Sequence, residues 1–332
     1  MKLVWSISRD QILHTCERRY YFQYLAPARI NSRNPLLKEI AFLRRVTNIP
    51  MWKGKIFHSI IAEYFKRRLQ GYDIALNDVL TYYINQMEDQ WNSSLKLVEK
   101  NLLTRQVNSY QQSDFILLEH LYQEDVSRNS LESAIQDMKD WIKRFAIWNG
   151  DENIDKLILK SSKIWIEPPT YGQEATGFEI DGIQVITKVD LAFLNSEGQF
   201  LIFDWKTSVP VNQPTYWITQ PEFQAAVYQL WANLSLKILL NNISAHFIHF
   251  GNKPPEKRSF TMEENMKEYT ISLIRQSISR MKYFHQQIHH DSLQLTLDRI
   301  LRLTLDDLDF AYTEKSCIHC PFKGICRREL EV

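Results

Sequence analysis

The order of apolar and polar residues divides the chain into a largely helical first half and a second half that mixes strands and helices. Over residues 7–25 apolar side chains recur every three or four positions, which predicts a helix that begins at Ser8. Residues 26–50 are polar and lack a period, so we expect irregular structure there. The helical period returns over 53–70 and predicts a helix that ends before Gly71.

Residues 74–149 contain no alternating pattern that would predict a strand. Their apolar positions recur at helical spacing, as at Val79, Tyr83, Met87 and Trp91. We therefore interpret this region as a helical insertion.

Alternating apolar and polar residues predict strands from residue 161 onward. Three β-rich segments cover 161–169, 177–194 and 198–208, and the turn signals between them predict a meander. The segments that complete the chain are a helix over 221–240, a strand over 244–251, a short strand over 257–262 and a helix over 263–290. This order predicts a mixed α/β core, with a central mixed sheet flanked by helices.

The segment LIFDWKTS, residues 201–208, places opposite charges on one face of a predicted strand. Because side chains alternate between the faces of a strand, Asp204 and Lys206 share one side. Phe203 and Trp205 share the other side, which is apolar. An Asp–Lys pair is also common on the surfaces of sheets, so this segment alone does not predict a site.

A second aspartate, Asp190, lies fourteen residues before Asp204 on the polar side of another predicted strand. A hairpin across the turn at 195–198 would bring the two carboxylates together, and such a pair repels unless a cation lies between them. Oxygen ligands suit Mg²⁺ or Mn²⁺, which activate water and neutralise charge on a phosphate. A lysine could orient that water or stabilise the transition state, and Lys206 and Lys188 are alternatives for this role.

Asp190 and the DWK triplet at 204–206 resemble motifs II and III of the PD-(D/E)XK nuclease superfamily. The resemblance is to its RecB-like branch, which includes AddB-type and CRISPR-associated small nucleases. Two further elements of that branch match, G-x-x-x-H at 54–58 and Q-x-x-x-Y at 224–228. The resemblance implies a restriction-endonuclease-like core.

The resemblance also implies roles for the matched residues. Mg²⁺ or Mn²⁺ would be held by His58, Asp190 and Asp204, and Lys206 would assist the attacking water. The catalytic set would also include Gln224 and Tyr228, which lie four residues apart and share one face of a helix. That polar stripe would be a solvated surface, hold the nucleic-acid backbone or support the lysine.

As a function, the resemblance implies hydrolysis of DNA phosphodiester bonds by exonuclease action on single strands or duplex ends, in DNA repair or recombination. Two alternatives stay open. One is a CRISPR-associated nuclease that trims DNA before spacer integration, and the other is a non-catalytic iron–sulfur DNA-binding scaffold subunit. The sequence has no Walker motif of a helicase motor, so the protein acts alone or with a helicase or integrase partner in trans.

Four cysteines form a separate pattern, with Cys16 near the N-terminus and Cys317, Cys320 and Cys326 near the C-terminus. This spacing suits a four-coordinate site, and the residues alone fit zinc as well as iron. The resemblance implies a four-iron four-sulfur (4Fe-4S) cluster that joins the two ends of the chain. Zinc is the alternative metal, and His319 is a rival ligand.

Composition sets outer limits on the function. The 40 basic and 39 acidic residues among 332 give a net charge of +1, so no global basic field indicates a polyanionic partner. No apolar run approaches the roughly 18 residues of a membrane span, and an apolar signal core is lacking. We therefore expect a cytoplasmic protein without a membrane partner. The expected divisions are N-terminal helices over 1–73, the helical insertion over 74–150, the nuclease core over 151–290 and the cysteine segment over 291–332.

Two local clusters combine features of a nucleic-acid surface. They are the group Arg18, Arg19, Tyr20, Tyr21 and Tyr24, and the basic run 66–68. Such residues contact phosphates and stack on unpaired bases, although aromatic residues at helical spacing usually belong to the core. A third cluster predicts an exposed helix end and contains His285, His289 and His290.

Overall fold

A computed structural model describes the chain over residues 3–26, 33–104, 115–124, 127–169, 175–208, 220–289 and 317–330. Within these ranges the protein is mixed α/β, with helices on both faces of a five-stranded sheet, and the predicted fold class is confirmed. No helix in these ranges combines the length and the apolar character needed to cross a bilayer.

The first predicted helix is broken at Cys16. Helix α1, Ile7–Thr15, begins after Ser6 and not at the expected Ser8, because the Ser6 hydroxyl accepts a hydrogen bond from an amide of the first turn at 3.3 Å. Cys16 has an extended backbone and caps the turn that follows. The continuation consists of α2, Glu17–Tyr20, and a π-helix, Tyr21–Leu25.

The expectation of irregular structure over 26–50 is wrong, because helix α3 occupies Pro35–Leu43. The Asn34 side chain caps it by accepting hydrogen bonds from two amides at 3.0 and 3.3 Å. Pro35 suits the first helical position because its φ is already fixed. The helix buries Leu37, Ile40, Phe42 and Leu43.

Three long helices, α4, α5 and α7, lie between the first strand and the other strands and confirm the helical predictions. Helix α4 covers the prediction over 53–70 but begins four residues earlier, behind the Asn48 cap. The described part of 74–149 is helical, apart from one isolated bridge between Thr47 and Leu117. The helices after α3 are α4 Ile49–Leu69, α5 Leu76–Thr104, α6 Leu118–Leu121, α7 Arg128–Glu152, α8 Ile154–Leu159, α9 Pro221–Leu236, α10 Glu264–His289 and α11 Lys323–Leu330.

The strands form two sheets. The five-stranded sheet has the order β2-β5-β6-β7-β8, in which only β6 and β7 run parallel. The three-stranded sheet has the order β1-β4-β3. The strands are β1 Val4–Trp5, β2 Lys163–Ile166, β3 Gly177–Ile180, β4 Ile183–Ile186, β5 Leu191–Leu194, β6 Phe200–Lys206, β7 Ile243–His249 and β8 Glu256–Phe260.

The predicted meander over 161–208 is wrong in one respect. The hairpin of β3 and β4 leaves the main sheet, because β4 pairs in parallel with β1 through Val185 and Trp5. The chain therefore passes from one sheet to the other between β4 and β5. Lys188 and Asp190 lie in this connection and not in a continuous alternating strand.

Strand β6 separates two apolar cores. Phe200 and Ile202 belong to the core that contains α9 and α10. Phe203 and Trp205 belong to the core that contains α4, α5 and α7. Apolar packing on both faces therefore holds β6 in place, independently of its polar residues.

Candidate active site

Strand pairing brings the two aspartates together. Leu191 lies opposite Phe203 in the antiparallel pair of β5 and β6, so the residue before Leu191 meets the residue after Phe203. Asp190 Oδ2 accepts a hydrogen bond of 2.7 Å from the Trp205 amide. The predicted proximity of Asp190 and Asp204 is therefore explained by the sheet register, and both carboxylates are buried.

His58 reaches the same place from α4. Its Nδ1 lies 2.9 Å from Asp190 Oδ1. Burial acts to lower the pKa of His58, but Asp190, then Asp204 and Glu167, outweigh it and raise the pKa above its ordinary value. Burial acts to raise the pKa of Asp190, whereas His58 and the Trp205 amide lower it, with a net lowering. The His58 ring and the Asp190 carboxylate are therefore held together by both charge and a hydrogen bond.

Asp204 and Lys206 project from β6 toward α9, as the alternation predicts. Asp204 Oδ1 lies 2.5 Å from Lys206 Nζ. On α9, Gln224 accepts a hydrogen bond of 3.1 Å from that ammonium and donates one of 3.2 Å to Asp204 Oδ2. The Tyr228 hydroxyl lies 2.7 Å from Asp204 Oδ2 and 2.8 Å from the Lys188 carbonyl, and its one proton serves either acceptor. The α9 stripe thus contacts the lysine and the aspartate instead of forming a solvated face.

The electrostatics of Asp204 differ from those of Asp190. Burial and the charge of Asp190 raise the pKa of Asp204, despite the lowering effects of Lys206 and Tyr228. Its Oδ1 forms the ion pair with the Lys206 ammonium. Carboxylate oxygens are fitting ligands for a divalent cation, which would also screen the two aspartates from each other.

Glu167 was missed by the sequence analysis. It follows β2, which pairs with β5, and its amide donates a hydrogen bond of 2.9 Å to the Asp190 carbonyl. Ligand atoms of His58, Glu167 and Asp190 lie within 4.8 Å of one another. In the sequence, Glu167 could have been recognised as an acidic residue at the end of a predicted strand, directly before two prolines. In the structure its positive φ of 40° marks a constrained backbone.

A cavity of about 320 Å³ joins these groups. Its acidic side contains Asp190 and Asp204, and His58 and Lys206 also line it. The exposed Lys188 also lines it, but the ion pair with Asp204 belongs to Lys206. The cavity is also lined by Ser6, Ser8 and Thr187, to which the sequence analysis assigned no role in a site.

The cysteines from the two ends of the chain lie in one region. Cys320 and Cys326 belong to the same apolar cluster as Phe22, whose ring centroid is 5.3 Å from that of Phe322. Burial raises the pKa of Cys320 to about 12, against the charge of Arg19, and the thiols of Cys326 and Cys16 raise it further. Cys317 is partly exposed, and His319 is exposed.

Most residues of the two clusters predicted to contact nucleic acid are buried or ion-paired. Arg18, Tyr20 and Tyr21 are buried, as expected of aromatic residues in a core. In the basic run, Arg67 lies 2.5 Å from Glu63 and Arg68 lies 3.1 Å from Asp73, which is typical of a solvated helix end.

The prediction of an exposed histidine cluster is wrong for His285. Its ring is buried and lies 3.0 Å from the Tyr20 hydroxyl, because α10 packs against the N-terminal helices. The side chain of His289 and the whole of His290 lie outside the described part of the chain.

Comparison with known proteins identifies a family for nearly the whole chain. The family model of the PD-(D/E)XK nuclease superfamily matches residues 4–327, which include every residue of the cavity. A search of curated proteins found no match.

Proposed function

Because the chain belongs to the PD-(D/E)XK nuclease superfamily, we propose that it is a DNA exonuclease that acts on single strands or duplex ends in repair or recombination. The family match supports the coarser statement of a metal-dependent nuclease that hydrolyses phosphodiester bonds. The observation that carries the proposal is the buried pair Asp190 and Asp204, with Lys206 ion-paired at 2.5 Å in the same cavity.

We assign a site for Mg²⁺ or Mn²⁺ to His58, Asp190 and Asp204, with Glu167 as a fourth ligand. The clustering of donor atoms from His58, Glu167 and Asp190 within 4.8 Å supports the assignment, as does the position of the buried Asp204 in the same cavity as His58 and Asp190. A bound divalent ion would supply an activated water and neutralise charge on the phosphate.

The protein's own groups fix where a phosphate can react. Lys206 is held between Asp204 and Gln224, so its ammonium has a defined place beside the acidic side of the cavity. There it would orient the attacking water or stabilise charge on the phosphate. Tyr228 would be a positioning residue, because its hydroxyl ties Asp204 to the connection that carries Lys188.

Cleavage of linear and circular single-stranded DNA tests the exonuclease proposal. Wild-type protein with Mn²⁺ should shorten an end-labelled linear strand and a linear duplex but leave a covalently closed circular strand intact. Asp190→Asn should cleave none of them, and the exposed Asp151→Asn should behave as wild type. Equal cleavage of circular and linear strands would contradict end-dependent action, and wild-type inactivity on all three would favour the scaffold alternative.

We also propose that Cys16, Cys317, Cys320 and Cys326 hold a four-iron four-sulfur cluster. The shared apolar cluster of Cys320 and Cys326, and the effect of the Cys326 and Cys16 thiols on the pKa of Cys320, support this assignment. A metal centre would favour the deprotonated thiolates that burial alone disfavours. Its role would be to link the two ends of the chain.

Anaerobic purification followed by visible spectroscopy and metal analysis tests the cluster. We expect a brown protein with about four iron and four sulfide per chain, and loss of both in Cys320→Ser. A colourless protein with one zinc per chain would replace iron by zinc, and a metal-free protein of full stability would remove the site altogether.

A further inference from the structure

We propose that one wall of the active-site cavity binds a DNA phosphodiester next to the one that is cut. This wall consists of Ser6, Ile7 and Ser8 at the start of α1, together with Thr187 and Lys188, and we call it the N-terminal wall. The inference rests on the proposed nuclease function, because it gives the same DNA strand a second contact in the same cavity.

The start of α1 supplies unused backbone donors to this wall. The Ser6 hydroxyl caps the Arg9 amide. The amides of Ile7 and Ser8 belong to the first turn, where an α-helix offers no acceptor of its own. Because such amides and the helix dipole favour anions, the N-termini of helices bind phosphate groups.

Thr187 gives an independent indication of a ligand. Its side chain is 3% exposed and lines the same cavity, and its hydroxyl oxygen has no hydrogen-bond partner among the described residues. The backbone is fixed on both sides by Thr176, with an amide-to-carbonyl bond of 3.2 Å and a hydroxyl-to-carbonyl bond of 2.7 Å. A buried hydroxyl without a partner is unfavourable, so its place in the cavity wall indicates a group that accepts its proton.

Lys188 adds positive charge at the adjacent position. Its side chain is exposed and lines the cavity, while its carbonyl lies 2.8 Å from the Tyr228 hydroxyl. The same Tyr228 hydroxyl contacts Asp204 at 2.7 Å. The backbone of the N-terminal wall is therefore tied to the acidic side of the cavity, and Lys188 is available for a task different from that of Lys206.

The chemistry of the wall matches a phosphodiester. Helix amides, a hydroxyl and an ammonium are donors, and the nearest acid on α1, Asp10, is buried and paired with Arg280 at 3.1 Å. A phosphodiester is an anion that only accepts hydrogen bonds, and protein groups of these three kinds commonly contact the DNA backbone. A strand with one phosphate at Asp190 and Asp204 would present a neighbouring phosphate to this wall.

Binding in EDTA, measured apart from cleavage, tests the wall. Fluorescence anisotropy with a labelled single-stranded oligonucleotide should show about tenfold weaker binding for Lys188→Ala and about fivefold for Thr187→Val. For Lys188→Ala the slope of log affinity against log salt should also fall by about one. Matched controls are the exposed Lys160→Ala and Thr81→Val, which should bind as wild type.

A scan of single methylphosphonate linkages, which remove one charge at a time, locates the contact. One linkage beside the cut should weaken wild-type binding and have little further effect on Lys188→Ala, because both changes remove the same interaction. If circular dichroism shows that Thr187→Val is poorly folded, the test depends on Lys188→Ala alone.

Wild-type affinity in both variants, or equal sensitivity at every linkage, would overturn the inference. Cleavage by the wild-type protein would still support the proposed nuclease function. A wild-type protein that neither binds nor cuts DNA would overturn both.

Discussion

The two faces of the seven-residue strand β6 make different kinds of contact, polar on one face and aromatic on the other. On one face Asp204 and Lys206 contact Gln224 and Tyr228 of α9 through hydrogen bonds and an ion pair. On the other face Phe203 and Trp205 pack among aromatic rings, and the Trp148 ring lies 5.5 to 5.9 Å from both. One face orients charge, and the other fixes the strand that carries it.

Chemistry and stability are therefore separable on this strand. The polar face is costly to bury, since Asp190 and Asp204 repel each other without a cation. The aromatic face supplies favourable burial, because its rings pack in the core that includes α4 and α7. Substitutions on the polar face should therefore lower activity more than stability, and substitutions on the aromatic face should lower stability more than activity.

The largest expected effect comes from Asp190→Asn on the polar side. Asparagine keeps the size and one oxygen for the Trp205 amide, so the fold should survive. The loss of a metal-binding charge should lower the single-turnover rate of DNA cleavage about a thousandfold. A rate within tenfold of wild type at saturating Mn²⁺ would show that Asp190 is not a ligand.

The reverse profile is expected for Phe203→Ala. Its side chain is 2% exposed, so the cavity left behind should lower the free energy of unfolding by about 3–5 kcal/mol, measured by urea denaturation. Cleavage per folded molecule should change less than threefold. The exposed Ile147→Ala should change stability by less than about 0.5 kcal/mol. Equal stability of Phe203→Ala and wild type would contradict the role of this face.

A smaller effect on the polar face is expected for Tyr228→Phe, which removes only the hydroxyl. The single-turnover rate should fall about tenfold. Because the lost hydrogen bond lowers the pKa of Asp204, that pKa should rise, and the acid limb of the pH–rate profile should move to higher pH. The exposed Tyr82→Phe is the control. A lower rate with an unmoved acid limb would make Tyr228 merely structural.

The smallest effect concerns His246, whose ring lies 5.0 Å from that of Phe203. Burial, and then the charge of Lys257, lowers its pKa from 6.5 to about 4. The unfolded chain binds a proton near pH 6.5 and the folded chain only near pH 4, so stability is lost as pH falls between these values.

His246→Asn should reduce that acid lability, since asparagine can still bond to Ser259, which lies 2.9 Å from the ring. Between pH 7 and pH 4 the variant should lose about 2 kcal/mol less free energy of unfolding than wild type, by urea denaturation at the two pH values. An identical loss in the two proteins would remove His246 as the cause.

Local periodicity was enough to predict the side chains of β6. Strand alternation separated Asp204 and Lys206 from Phe203 and Trp205, and the turn after β5 brought Asp190 close. Helix α3 was also within reach, since Asn34 and Pro35 form a capping signal that the polar composition obscured.

Contacts between distant segments could not be predicted in this way. Glu167 joins the site through the pairing of β2 with β5, and Thr187 through the departure of β4 toward β1. His285 was assigned to the surface because its partner, Tyr20, lies 265 positions away. These positions depend on which strands and helices pack together, and a local sequence pattern does not specify that pairing.

The most direct test of the central claim is the single-turnover rate of Asp204→Asn on end-labelled single-stranded DNA with Mn²⁺, relative to wild type at equal folded concentration. Because Asp204 both faces the cation site and holds Lys206, we expect about a thousandfold loss, as for Asp190→Asn, with a melting temperature within a few degrees of wild type. Cleavage by Asp204→Asn at the wild-type rate would contradict the account.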